Sequence, residues 1–162
     1  MGRRVETDPA EEAWVLLFQL AFSVNMPRIA ATAQEFGLAK MQLHALRLME
    51  PGGELPMSAL AETLVCDASN VTGIVDRLEA RGLIERRPAA HDRRVKMIAL
   101  TPEGELLREQ LIARMTEPPP VIASLSRADQ RALRDLLRKA LARDAPAAGV
   151  PPGTPAVGAE VR

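Results

Sequence analysis

Residues 58–101, SALAETLVCDASNVTGIVDRLEARGLIERRPAAHDRRVKMIALT, constrain the fold of this chain more than any other stretch. Leu60, Ala61 and Leu64 recur at helical spacing, and Pro56 stands just ahead of them, where a missing N–H does no harm. Val65-Cys66 makes a tight turn. Asp67 suits an N-cap, because its carboxylate can accept the free N–H groups of a first helical turn. The helix it opens runs to Arg81, with Val71, Ile74, Val75 and Leu78 facing inward. Gly82 then stops it in a left-handed position. Two short strands follow over 83–87 and 94–100, and residues 88–92 link them as an exposed tip. Helix, turn, helix and hairpin in this order predict a winged helix-turn-helix.

The flanking sequence is helical and apolar. Over 10–32, Trp14, Leu17, Phe18, Ala21, Phe22 and 24–26 form an apolar face, and Pro27 is expected to kink or break that helix. A second helix over 38–49 carries Met41, Ala45, Leu46 and Met49 on one face and ends at Pro51-Gly52-Gly53. Thr101-Pro102 is a cap followed by a first-turn proline, and it opens a helix with Leu106, Leu107, Leu111 and Ile112. Three prolines, Pro118 to Pro120, interrupt the pattern. Ser126 and Asp129 resemble a capping pair for a last helix that buries Leu133, Leu136, Leu137, Ala140 and Leu141. Residues 1–9 read as a mobile arm, and 145–162 as a low-complexity, disordered tail. The expected class is mainly α with a small β-hairpin, in a single domain over 10–144 whose winged helix-turn-helix occupies 38–101.

Composition removes several function classes. Aromatic residues are 2% of the 162, with no Tyr, so stacking of unpaired bases on rings is disfavoured. The formal net charge is zero, yet basic residues outnumber acids over 77–96 and again over 127–143. A neutral chain with a basic face can still bind phosphate. One Cys cannot form an internal disulfide, and with two His residues it is a poor metal toolkit, so neither metal nor cofactor is expected. A reducing cytoplasm is the natural setting. Neither a long uncharged apolar run nor an export signal is expected from the sequence, and so no membrane. No nucleophile–base pair, phosphate-cradling glycine loop or paired carboxylates point to an enzyme.

The helix opening at Asp67 presents Ser69, Asn70, Thr72 and Gly73, with Arg77 one turn on. Docked in a major groove, such small polar residues can reach base edges or phosphates while Gly allows close approach. Taken alone, Ser69 and Asn70 could be ordinary first-turn residues on a solvated face. The hairpin shifts the balance. His91-Asp92-Arg93-Arg94 concentrates positive charge at a tip that can enter a minor groove, with Asp92 orienting an arginine through a charge-assisted bond. Arg86 and Arg87 add phosphate contacts or solubility.

SALAETL, DASNVTGIVDRLEARGLIERRP and HDRRVKMIALTPEG together resemble the MarR (multiple antibiotic resistance regulator) family over most of 12–143. The resemblance implies a homodimer whose dimerisation helices lie in 10–37 and 102–144. It implies a major-groove reading helix from Asp67 to Arg81, with Asp92 and Arg94 in the wing. It also implies double-stranded DNA as partner, mostly in repression, with release by small aromatic or acidic effectors or by oxidation. Gly73 departs from the family pattern, which commonly has Arg or another polar residue there. The triple proline is also unusual.

Family ligands lie between the dimerisation helices and the reading head. Trp14, Phe18, Phe22, Met26, Met41 and His44 are the candidates here, although Met and aromatic residues at helical spacing are more often plain core. Cys66 is read as a packed turn residue rather than a redox switch. A rival function is a winged-helix module that docks a protein and no longer binds DNA, since fold alone does not fix function.

Overall fold

The computed structural model describes residues 8–89 and 95–144. Helix α1, Pro9–Gln19, starts where the Asp8 carboxylate accepts a hydrogen bond from the Ala10 N–H at 3.0 Å. It runs into a π-helical turn, Leu20–Asn25, and then into α2, Met26–Glu35. Pro27 therefore does not break the helix. The Met26 N–H reaches back five residues to the Ala21 carbonyl, and this wider turn accommodates a residue that lacks an N–H and crowds the preceding turn. The resulting helix, Pro9–Glu35, spans 27 residues. By length and composition alone it is apolar enough to cross a membrane, contrary to the expectation from sequence, because residues 13–27 carry no charge.

Only the end of that helix enters the core, through Thr32 and Ala33. Helix α3, Lys40–Leu48, begins at Ala39, whose N–H donates to the Gln42 side-chain carbonyl at 2.8 Å. That bond explains a buried Gln42 beside Leu43, Ala45, Leu46 and Leu48. Met41, expected on the inward face, is exposed. Strand β1, Glu54–Pro56, was not legible from sequence, and it pairs with a later strand. Helix α4, Met57–Leu64, ends at Val65 in the left-handed region, φ 50°, with its side chain 90% exposed. Helix α5 follows, Ala68–Ala80, then β2, Ile84–Pro88, and β3, Lys96–Leu100. The antiparallel sheet has the order β1-β3-β2, with Leu55 opposite Ile98 and Ile98 opposite Arg86.

Helix α6, Pro102–Thr116, crosses behind this head. The Thr101 hydroxyl accepts from the Gly104 N–H at 3.0 Å and donates to the Gly82 carbonyl at 2.5 Å, which fixes the helix start against the sheet. Leu43, Leu46, Leu60, Val71, Val75, Leu78, Ile84, Ile98 and Leu111 form the fully buried centre, contributed by α3–α6 and two strands. The prolines end α6, a short α7 spans Pro120–Ala123, and α8 runs over Arg127–Asp144. Ser126 caps α8 as expected, its hydroxyl accepting from the Asp129 N–H at 3.2 Å.

The outer helices correct the expected burial. Leu136 and Leu141 are 65% and 66% exposed, and Leu106, Leu137, Trp14, Phe18 and Phe22 also face outward. Ala140 is exposed and Leu133 half-buried. Their helical spacing does form an apolar face, but no described element of the same chain packs broadly on α8. The sequence predicts an arm over 1–9, but Asp8 caps α1 and Pro9 begins it; residues 1–7 and the tail expected over 145–162 lie outside the described residues.

Candidate nucleic-acid interface

Helix α5 separates two faces. Val71, Ile74, Val75 and Leu78 are buried, while Ser69, Asn70, Thr72 and Arg77 are exposed and Gly73 is half-buried. The buried set follows the three- and four-residue steps of a helix and clamps α5 to the core, so the polar set is presented on a rigid support. Asp67 occupies the N-cap position, but its carboxylate makes no capping hydrogen bond. Its carbonyl starts the helix instead, accepting from the Val71 N–H at 3.1 Å. Ser69, Asn70, Gly73 and Arg77 share one wall of an open cleft of about 430 Å³ whose opposite wall is Ala39, Met41 and Gln42. Thr72 lies outside that lining.

The four arginines from Arg77 to Arg87 are placed differently. Arg77 makes no ion pair among the described residues. Arg81 is held away from the exposed polar face of α5: its guanidinium donates to the Gly37 carbonyl at 2.7 Å and the Phe36 carbonyl at 3.2 Å. This caps the end of α2 and locks α5 to it. Arg86 on β2 is gripped by the Asp76 and Glu79 carboxylates of α5, and its backbone N–H also donates to Glu79 at 3.3 Å. Burial works to lower its pKa, but the bonds and charges of Asp76 and Glu79 outweigh it and raise the value. Arg86 was expected to offer a phosphate contact. Its place ties the hairpin to α5, a role signalled in the sequence only by acids three residues apart near the end of that helix. Arg87 pairs with Glu85 and with Glu54, 3.3 Å away across the sheet.

The hairpin arms stay in register to Pro88 opposite Lys96, and the Ala89 N–H donates to the Val95 carbonyl at 3.0 Å. The wing candidates Asp92, Arg93 and Arg94, with His91, lie outside the described residues.

A head of this shape has known counterparts. The MarR family model matches residues 38–96, the head itself. The chain is 30% identical to the HTH-type transcriptional regulator FarR of Neisseria gonorrhoeae, over 69% of this chain and 77% of that protein. It belongs to the MarR family. The HTH-type transcriptional repressor MdtR of Bacillus subtilis is 34% identical over 60% of this chain, which spans 63% of MdtR's length. Among solved structures, the transcriptional regulator Tm0710 of Thermotoga maritima superposes with a TM-score of 0.69 at 26% identity, covering 83% of this chain and 96% of that one.

The effector candidates of this MarR chain are dispersed. Trp14, 68% exposed, lies on α1 with Phe18, which stacks on Phe22 with ring centroids 4.3 Å apart. Met26 is also exposed. Met41 instead lines the cleft beside α5, whose lining includes neither the three aromatic residues nor His44. His44 is half-buried on α3, where burial first and the Arg47 charge second lower its pKa. Cys66 is half-buried against the core with its thiol 3.3 Å from the Leu64 carbonyl, as a packed turn residue would be. Among the described residues, no cluster of three or more His, Cys, Asp or Glu could hold a metal ion.

Proposed function

We propose that this chain is a homodimeric, DNA-binding transcriptional regulator of the cytoplasm, a repressor released by a small aromatic or acidic effector. The observation that carries the reading is the outer face of α5. Ser69, Asn70 and Arg77 stand exposed on a helix whose other face is locked into the core. These groups can donate and accept at base edges and phosphates, and the exposed residues of α5 from Ser69 to Arg77 are all polar, unlike those of a protein-docking surface. The family membership, and the similarity to the transcriptional regulator FarR and the transcriptional repressor MdtR, point the same way.

Dimerisation is supported by apolar side chains left open on α1 and α8, since contiguous exposed apolar surface marks an interface. Two-fold symmetry would present two reading helices to half-sites roughly 34 Å apart on a pseudo-palindrome. Arg93 and Arg94, oriented by Asp92, would follow the neighbouring minor groove. The effector would enter between the outer helices and the head, near Trp14, Phe18, Phe22, Met41 and His44. A fluorescence titration of the full chain against duplexes from its own upstream DNA, at several salt concentrations, tests the core of this reading. We expect one tight site and a steep fall in affinity with salt. Failure to bind any duplex in dilute buffer overturns it.

A further inference from the structure

Gly73 stands in the middle of α5, a helix of 13 residues, where glycine is the least favourable residue after proline. A glycine in that place usually answers to the backbone or to a neighbour. Neither applies. Gly37, Gly52 and Gly82 have positive φ, and Gly73 does not. A Cβ at Gly104 would lie 1.8 Å from the Leu83 carbonyl oxygen, whereas a Cβ at Gly73 would meet nothing within 4 Å among the described residues. The fold has room for a side chain at Gly73 and would gain helix stability from one.

The position of the gap says where the demand comes from. Gly73 follows Ser69 by one helical turn and precedes Arg77 by another, so it lies in the middle of the exposed polar face. It also lines the cleft whose apolar wall includes Met41 and Ile74. A partner that comes down on this face meets hydrogen-bonding groups before and after Gly73 and bare backbone at it. In the major groove, thymine alone presents a methyl group, which protrudes from the base edge and takes an apolar contact rather than a hydrogen bond.

We infer that Gly73 is a specificity-determining position: its missing side chain admits a thymine methyl against the backbone of α5 at one base pair in each half-site. The inference rests on the DNA-reading function proposed above and adds which base the central position selects. A guanine-reading arginine could not sit there without closing the gap.

The test uses the full-length chain and duplexes that the wild type selects from a random library. Each thymine of a half-site is replaced singly by uracil, which removes only the methyl. Gly73→Ala is expected to raise the melting temperature of the free protein, because alanine favours the helix. On the thymine duplex it should bind about tenfold more weakly. At one thymine per half-site, uracil should weaken the wild type and restore binding to Gly73→Ala. Equal affinity of the two proteins for the thymine duplex overturns the inference, as does weakened binding that uracil rescues at no position. If the wild type selects no duplex at all, the DNA-reading function itself fails, and this specificity falls with it.

Discussion

Gly104 and His44 are the two positions where single atoms make the sharpest demands. The start of α6 presses on the Leu83 carbonyl so closely that an added methyl at Gly104 must displace backbone, not a flexible side chain. Gly104→Ala should therefore destabilise the fold by roughly 1–3 kcal/mol, the usual penalty for overpacking, despite its better helix propensity. The urea midpoint measures this, and an unchanged midpoint would mean that α6 can slide off the sheet freely. His44 makes a titration argument. Burial and the neighbouring Arg47 hold its pKa below the ordinary imidazole value of about 6.5. The fold thus favours the neutral ring, and the unfolded chain takes up the proton first as pH falls. The stabilising contribution is complete above that ordinary value and is lost as pH drops through the lowered one. Urea midpoints measured from pH 8 downward should fall for the wild type in this window, and His44→Gln should flatten the profile.

At the scale of elements, the head was largely legible because its signals are local. Thr101-Pro102, Gly82 and the spacing of Val71, Ile74, Val75 and Leu78 each fix a boundary or a face through chemistry within one turn. Strand β1 escaped because three residues, Glu54–Pro56, carry no alternation of their own; they become a strand only by pairing with β3. The continuous helix through Pro27 escaped because a π turn is set by how carbonyls rearrange, not by residue type. Arg86 escaped because its partners lie on another element. That tie can be separated from phosphate binding. Removing a phosphate contact lowers both the affinity and the salt dependence, whereas loosening a brace lowers the affinity alone. Arg77→Ala should reduce the slope of log affinity against log salt by about one. Arg86→Met should weaken binding and leave that slope unchanged. A slope reduced equally in both variants would place Arg86 on the DNA.

For the whole molecule, the decisive quantity is apolar surface that the chain leaves uncovered. Sequence periodicity identifies the apolar faces of α1 and α8, and only the family resemblance gives these helices to dimerisation, since a repeat of leucines cannot say whose core it joins. Trp14, Phe18 and Phe22 at one end of the chain and Leu136 and Leu141 at the other remain mostly exposed, while the head closes its own core without them. A charge placed on α8 should accordingly spare the head and strike only association. Leu136→Glu with Leu141→Glu should sediment as a monomer at micromolar concentration, with its helical signal and the cooperative unfolding of the head retained. Joining two reading helices makes the second half-site contact intramolecular, so their separation should reduce affinity for a two-half-site duplex by about a hundredfold or more. The same variant should bind an isolated half-site as well as the wild type does. A variant that remains dimeric, or that binds both duplexes equally well as a monomer, would show that the outer helices do not pair the two heads.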